Sequence, residues 1–130
     1  LMVDNLMDLT HETYVHATSI GQKEIDEAPV TTKLDGDEVV TSRFMEGIHA
    51  PPFWRMAMRA NGLPDDHKVD RWQIIRFEAP CTVAIDVGVA VAGTGAKAGD
   101  RSQGVNGYVL NTITPETDGS CHYFWAFARK

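Results

Sequence analysis

The residues of this chain best suited to chemistry lie near its start: Asp8, His11 and His16, in the stretch NLMDLTHETYVH. Asp8 and His11 are three apart, so a helix would put them on one face. His16, five beyond His11, falls well off that face on a regular helix. The two imidazoles still converge on one ion if the helix loosens near the β-branched Thr13 and Val15. Two histidines and a carboxylate with open positions describe the mononuclear site of non-haem Fe(II) oxygenases. The same residues, set among leucines, a methionine and a valine, also read as a buried histidine pair that Asp8 caps or orients. Taken alone, the spacing favours the buried pair.

Composition narrows what such a site could serve. The chain has 130 residues, one domain's worth, and at 43% hydrophobic it can bury a core. Its net charge of −6 argues against a nucleic-acid or anionic-membrane surface, either of which would want a basic stripe. Two cysteines, Cys81 and Cys121, are too few for a disulfide framework and fit reduced thiols of the cytoplasm, expected as buried strand residues. No apolar run approaches the ~20 residues of a spanning helix, and no signal-peptide pattern is visible. The chain opens inside a patterned apolar segment, LMVDN, and stops inside an aromatic run, HYFWAFARK. The expectation is a fragment of a longer protein.

The elements that must position the site follow from periodicity. Apolar residues at steps of three and four predict a helix over residues 1–16. Ser19–Ala28 reads as a polar loop or short surface helix. Val30–Leu34 and Glu38–Met45 are strand-like runs split by DGDE, whose Asp-Gly is a hairpin signal. Residues 50–68 read as a loop, a short amphipathic helix over FWRMAMRA and another loop. Three β-rich runs follow, Arg71–Phe77, Thr82–Val91 and Gly107–Thr114. The Gly-rich AGTGAKAGDRSQG between the last two is expected to be a long exposed connection. Ser120–Ala128 is a final, aromatic strand. No internal repeat is present, and the pattern is α+β, mostly antiparallel.

The neighbours of the opening motif add a resemblance. VDNLMDLTHETYVH fills every slot of N-x2-D-x2-H-x4-H with Asn5, Asp8, His11 and His16. Together with SIGQKEIDEAP, APPFW, VDRWQII, GDRSQGVNGYV and LNTITPETDGSCHYFWAFAR, it resembles the catalytic domain of Rieske non-haem iron oxygenases. The likeness is to the aromatic O-demethylase branch, the type that acts on vanillate, with the dicamba monooxygenase type a more distant relative. It implies a helix-grip (START/Bet v 1-like) domain, a curved antiparallel sheet with helices. It also implies His11 and His16 as ligands of mononuclear Fe(II). Asp8 would orient a ligating histidine and bridge to a Rieske-cluster histidine of the neighbouring subunit, and Asn5 would stand near the open coordination positions. The family's third ligand is a carboxylate beyond Lys130; Asp86, Asp100 and Glu116 do not stand at its place. The Rieske [2Fe-2S] cluster needs C-x-H and C-x2-H pairs that this chain lacks, so it too would lie outside.

For the substrate pocket, Asn111 matches a contact position in the dicamba-type relative, and Asp86 lies in the strand that supplies another polar contact. Trp125 is a candidate cavity residue, although it and Phe127 read more readily as core. His49 and His122 are expected to be structural or surface residues, and His67 sits in a solvated loop. The implied activity is oxidative O-demethylation of a methoxylated aromatic acid such as vanillate with O2. Electrons would come from NAD(P)H through a flavin/iron–sulfur reductase and the Rieske cluster of a homotrimer. A helix-grip fold also makes non-catalytic pockets for hydrophobic ligands, and the family includes ring-hydroxylating oxygenases, so both remain as alternatives.

Overall fold

Connections of two or three residues between the first and second, third and fourth, and fifth and sixth strands are too short for a crossover and force those pairs antiparallel. In the computed structural model, which describes residues 1–16 and 18–129, six strands form one antiparallel sheet in sequential order. β1 (Val30–Asp35) and β2 (Glu38–His49) are joined by Gly36-Asp37, with Gly36 at φ 62°. β3 (Lys68–Glu78), β4 (Thr82–Val91), β5 (Gly104–Thr117) and β6 (Ser120–Arg129) follow, and Asp118-Gly119 closes the last hairpin. With few, short helices this is the expected α+β, helix-grip-like arrangement. Among the described residues, no helix is long and apolar enough to cross a membrane.

Side chains alternate between the two faces of a strand, so odd and even residues of β3–β5 serve different layers. The odd face carries the helices. On α4 (Pro52–Ala60), Trp54 and Met58 lie one turn apart and pack against Val69, Val89 and Val105. On α1 (Met2–Met7) and just past it, Val3, Leu6 and Leu9 cover Ile75 and Val83. Two single-turn helices, α2 (Glu12–Val15) and α3 (Glu24–Glu27), complete the layer. The even face buries Trp72 and Ala90 beneath the β4–β5 connection.

That connection is more structured than its glycines suggest. It forms a short 3-10 helix, Ala96–Ala98, whose Ala96 is buried against Trp72 and Ala90. Arg101 stacks its guanidinium 4.3 Å from the Trp72 ring centre, a cation–π contact that fastens the connection to the sheet. A second fastening is Asp70, buried at 6% exposure. Its two carboxylate oxygens accept the amides of Gly47 and Gly93, each at 2.9 Å. Both glycines hold positive φ, 64° and 77°, so one carboxylate pins the β2 irregularity and the turn after β4.

Three local expectations are corrected. The helix expected over residues 1–16 breaks after Met7, because Asp8 turns extended (φ −81°, ψ 115°) and its carboxylate takes the Thr10 amide. The loosening thus precedes His11 rather than falling at Thr13–Val15. Trp125 and Phe127, read as core, are 66% and 47% exposed on β6. Cys121 is exposed on β6 and Cys81 is half-buried in the turn before β4, so neither thiol is a buried strand residue.

Close approach on the even face leaves no room at Gly88: an added Cβ would fall within the Trp72 ring and 2.6 Å from the Val105 carbonyl oxygen. Gly88→Ala is expected to cost about 3 kcal/mol, the upper end of overpacking penalties. Asp70→Ala, which strands two part-buried amides, is expected to cost about 2–3 kcal/mol. Urea denaturation of the two variants beside the parent protein checks both values.

Candidate metal centre and cavity

The break at Asp8–Thr10 builds the site. Asp8 Oδ1 accepts the Thr10 amide at 2.7 Å and the Thr10 hydroxyl at 2.6 Å. These two bonds hold the Asp8 carboxyl below its ordinary pKa, the hydroxyl contributing most. The other oxygen, Oδ2, stands 3.4 Å from His11 Nδ1, a close contact without the alignment of a hydrogen bond. The turn, rather than a shared helix face, therefore brings Asp8 to His11.

His11 precedes α2 and His16 follows it, so one helical turn separates the rings. Their centres lie 5.6 Å apart at 60°. That separation suits two imidazoles meeting at one ion, since a ring centre stands roughly 3 Å from a metal bound at ~2.1 Å. His11 Nδ1 is buried without a hydrogen-bond partner and has Asp8 beside it, which leaves Nε2 as the nitrogen for an ion. Among the described residues no third histidine, cysteine or carboxylate completes a metal-holding group with this pair.

Asn5, Asp8, His11 and His16 all line one cavity of about 260 Å³. Its floor is the odd face of the sheet, Ile75, Ile85, Val87 and Val109. A small apolar chamber with polar groups gathered at one side is the usual form of a small-molecule site, and this one lies near the lower size limit.

The expected pocket residues divide. Asn111 lies on the odd face, paired with Val83 and Trp125 across its two neighbours, and is 1% exposed. Both ends of its amide are engaged: Nδ2 donates to the Val83 carbonyl at 3.2 Å and Oδ1 accepts the Tyr123 hydroxyl at 2.7 Å. Asn111 thus holds Tyr123 in place. Trp125, directly opposite Asn111, shares the histidine face but is not among the residues lining the cavity. Asp86 is not brought to the site. As an even residue it faces away, accepting Trp72 Nε1–H at 2.9 Å and Arg101 Nη1–H at 2.5 Å. His49, His67 and His122 are exposed, and His67 bonds Asp66 at 2.8 Å.

A second group of residues escaped the reading of the sequence. Glu12, inside the histidine motif, is 4% exposed, and its carboxylate meets Arg71 Nη2 at 2.8 Å and Gln73 Nε2 at 2.6 Å. Arg43 Nη1 stands 3.7 Å from the same carboxylate, while its Nη2 donates to the Leu9 carbonyl at 2.7 Å. Burial pulls both guanidinium pKa values down and Glu12 opposes the pull. A signal existed in the sequence: Arg71 and Gln73 fall on the strand face that also carries Val69 and Ile75, where an apolar residue is the default.

Comparison with known proteins shows the family of the whole chain. The sequence pattern of the family described as vanillate O-demethylase oxygenase C-terminal domain matches residues 1–130. The vanillate O-demethylase oxygenase subunits of Pseudomonas sp. (strain ATCC 19151) and Pseudomonas sp. (strain HR199 / DSM 7063) are 64% and 61% identical over 99% of the chain. The chain spans 39% and 36% of the length of those two relatives. A crystal structure of dicamba monooxygenase bound to 3,6-dichlorosalicylic acid superposes with a TM-score of 0.79 at 29% identity. That likeness covers 98% of this chain and 35% of the other. The chain belongs to the vanillate O-demethylase oxygenase C-terminal domain family.

Proposed function

We propose that this chain is the mononuclear-iron domain of a longer oxygenase subunit that removes the methyl group of a methoxylated aromatic acid such as vanillate. The observation that carries the reading is the His11–His16 pair, 5.6 Å between ring centres, opening with Asp8 onto an apolar cavity. A pocket that only stored a hydrophobic ligand would have no use for two imidazoles beside a carboxylate. The similarity to vanillate O-demethylase subunits over the full chain supports the choice of substrate class.

His11 and His16 would hold a ferrous ion, and when bound it supplies the O2-activating chemistry that no side chain here provides. A third, carboxylate ligand and the Rieske [2Fe-2S] cluster belong to parts of the subunit beyond this chain. The chain's own residues do the rest. Ile75, Ile85, Val87 and Val109 seat the aromatic ring and keep water from the reacting methyl. Asp8 orients His11 through Nδ1, and with its side chain 40% exposed it remains within reach of a neighbouring subunit. That exposure supports a role for Asp8 on the electron path of a homotrimer.

In the overall reaction one oxygen atom of O2 is inserted into a methyl C–H bond and the other leaves as water. The two electrons come from NAD(P)H through a flavin/iron–sulfur reductase in the cytoplasm. The resulting hemiacetal breaks its methyl C–O bond to the ring oxygen, releasing formaldehyde and leaving a phenol. His11→Ala in the complete subunit is expected to remove bound iron and to lower formaldehyde release by at least about 10³-fold. Iron content and formaldehyde from a panel of methoxybenzoates measure this; undiminished demethylation by the variant would sink the assignment.

A further inference from the structure

Glu12 does not behave as a metal ligand. One carboxylate oxygen receives Arg71 and the other receives Gln73, so both face β3 rather than the rings beside it. All four side chains of the group are nearly sealed from solvent, Glu12 at 4%, Arg43 at 4%, Arg71 at 2% and Gln73 at 4% exposure. Burying one carboxylate and two guanidiniums is an expensive way to fill space, and apolar residues of similar volume stabilise a core as well or better. What a two-point carboxylate bond adds is direction, because it fixes both the place and the orientation of the residue that carries it.

The fixed residue is the first of α2. That helix has four residues and no side-chain cap, too short to hold itself in place. Glu12 is covalently next to His11, and its carbonyl oxygen accepts the His16 amide at 2.9 Å. Both histidines thus hang from one residue, Glu12. The two arginines extend the grip along the chain. Arg43 takes the Leu9 carbonyl ahead of the two histidines at 2.7 Å, and Arg71 takes the Ile20 carbonyl behind them at 2.8 Å.

We propose that Glu12 is the positioning residue of the histidine pair: its carboxylate, held by Arg71 and Gln73 on β3, sets where His11 and His16 stand. The proposal rests on the metal-binding reading of those histidines. It also makes a statement about ring placement that is independent of any ion. Arg43 and Arg71 secure the flanks, and Glu12 secures the middle.

The test uses the complete oxygenase subunit. Glu12→Gln keeps the size of the side chain and leaves two buried cations against no anion. Glu12→Gln with Arg71→Met removes one charge of each sign, so the balance is kept while the clamp is lost. Glu12→Asp keeps the charge but shortens the reach by one methylene. Cobalt(II) affinity and visible absorption report ligand geometry, and the imidazole proton resonances of histidine-labelled, metal-free protein report ring placement.

The charge-balanced double variant is expected to melt closer to the parent than Glu12→Gln alone. It should nevertheless bind cobalt roughly 10- to 100-fold more weakly, the size of effect seen when orienting partners of a metal ligand are removed. The His11 and His16 resonances should move while that of His67 does not, and Glu12→Asp should show the same pattern more weakly. A folded double variant with parental cobalt affinity, spectrum and histidine resonances would overturn the proposal, leaving Glu12 a charge-balancing residue. If neither glutamine variant folds, Glu12→Asp decides, and parental values there overturn the proposal too. Cobalt binding that survives His11→Ala refutes the metal reading instead, while the metal-free resonances still judge the clamp.

Discussion

A buried carboxylate that meets two guanidiniums and an amide is the interaction on which this site depends. Glu12, Arg71, Gln73 and Arg43 join the amino-terminal segment to the centre of the sheet where hydrophobic contact alone would leave it free to slide. Leu9 against Ile75 and Val83 supplies non-directional attraction. The ion group supplies the direction. Without it a single-turn helix carrying two histidines would have many nearly equal positions on an apolar floor.

The sheet divides the work between its faces. The odd residues of β3–β5 build the cavity floor, the seat of α4 and the anchor for Glu12. Even residues build a separate layer in which Trp72, Arg101 and Asp86 satisfy one another. Rigidity on that far side matters to the near side, because the floor residues are displaced only if the backbone between them moves. Asp70, tied to Gly47 and Gly93, holds the β2 irregularity and the turn after β4 from the same face.

Much of this was legible before any coordinates. The β-rich runs and the Asp35-Gly36 hairpin signal point to a mostly antiparallel sheet, and the neighbours of Asp8, His11 and His16, through the family resemblance, point to a candidate iron segment where spacing alone favours a buried pair. What was hidden is instructive. Asp86 is a carboxylate in a strand beside the pocket, and only the register shows that it faces Trp72 instead. The helix over residues 1–16 follows from its apolar steps, yet Asp8 takes the Thr10 amide and Arg43 the Leu9 carbonyl, two long- and short-range bonds that periodicity does not encode. Glu12 lay in plain view inside the motif. Its partners are 31, 59 and 61 residues away, at Arg43, Arg71 and Gln73, so its role appears only once β2 and β3 are paired.

The opposite facing of Ile85 and Asp86 has a consequence for how such a domain changes over generations. These neighbours sit on opposite sides of β4, one under the cavity and one under Arg101. Loss or gain of a single residue near the start of β4 would exchange them, bringing a carboxylate beneath the histidines and an isoleucine beneath a cation. Such an indel is far more drastic than any substitution in the strand. Diversity of substrate among relatives is therefore expected to accumulate as replacements at fixed register, with length changes confined to the connections between strands.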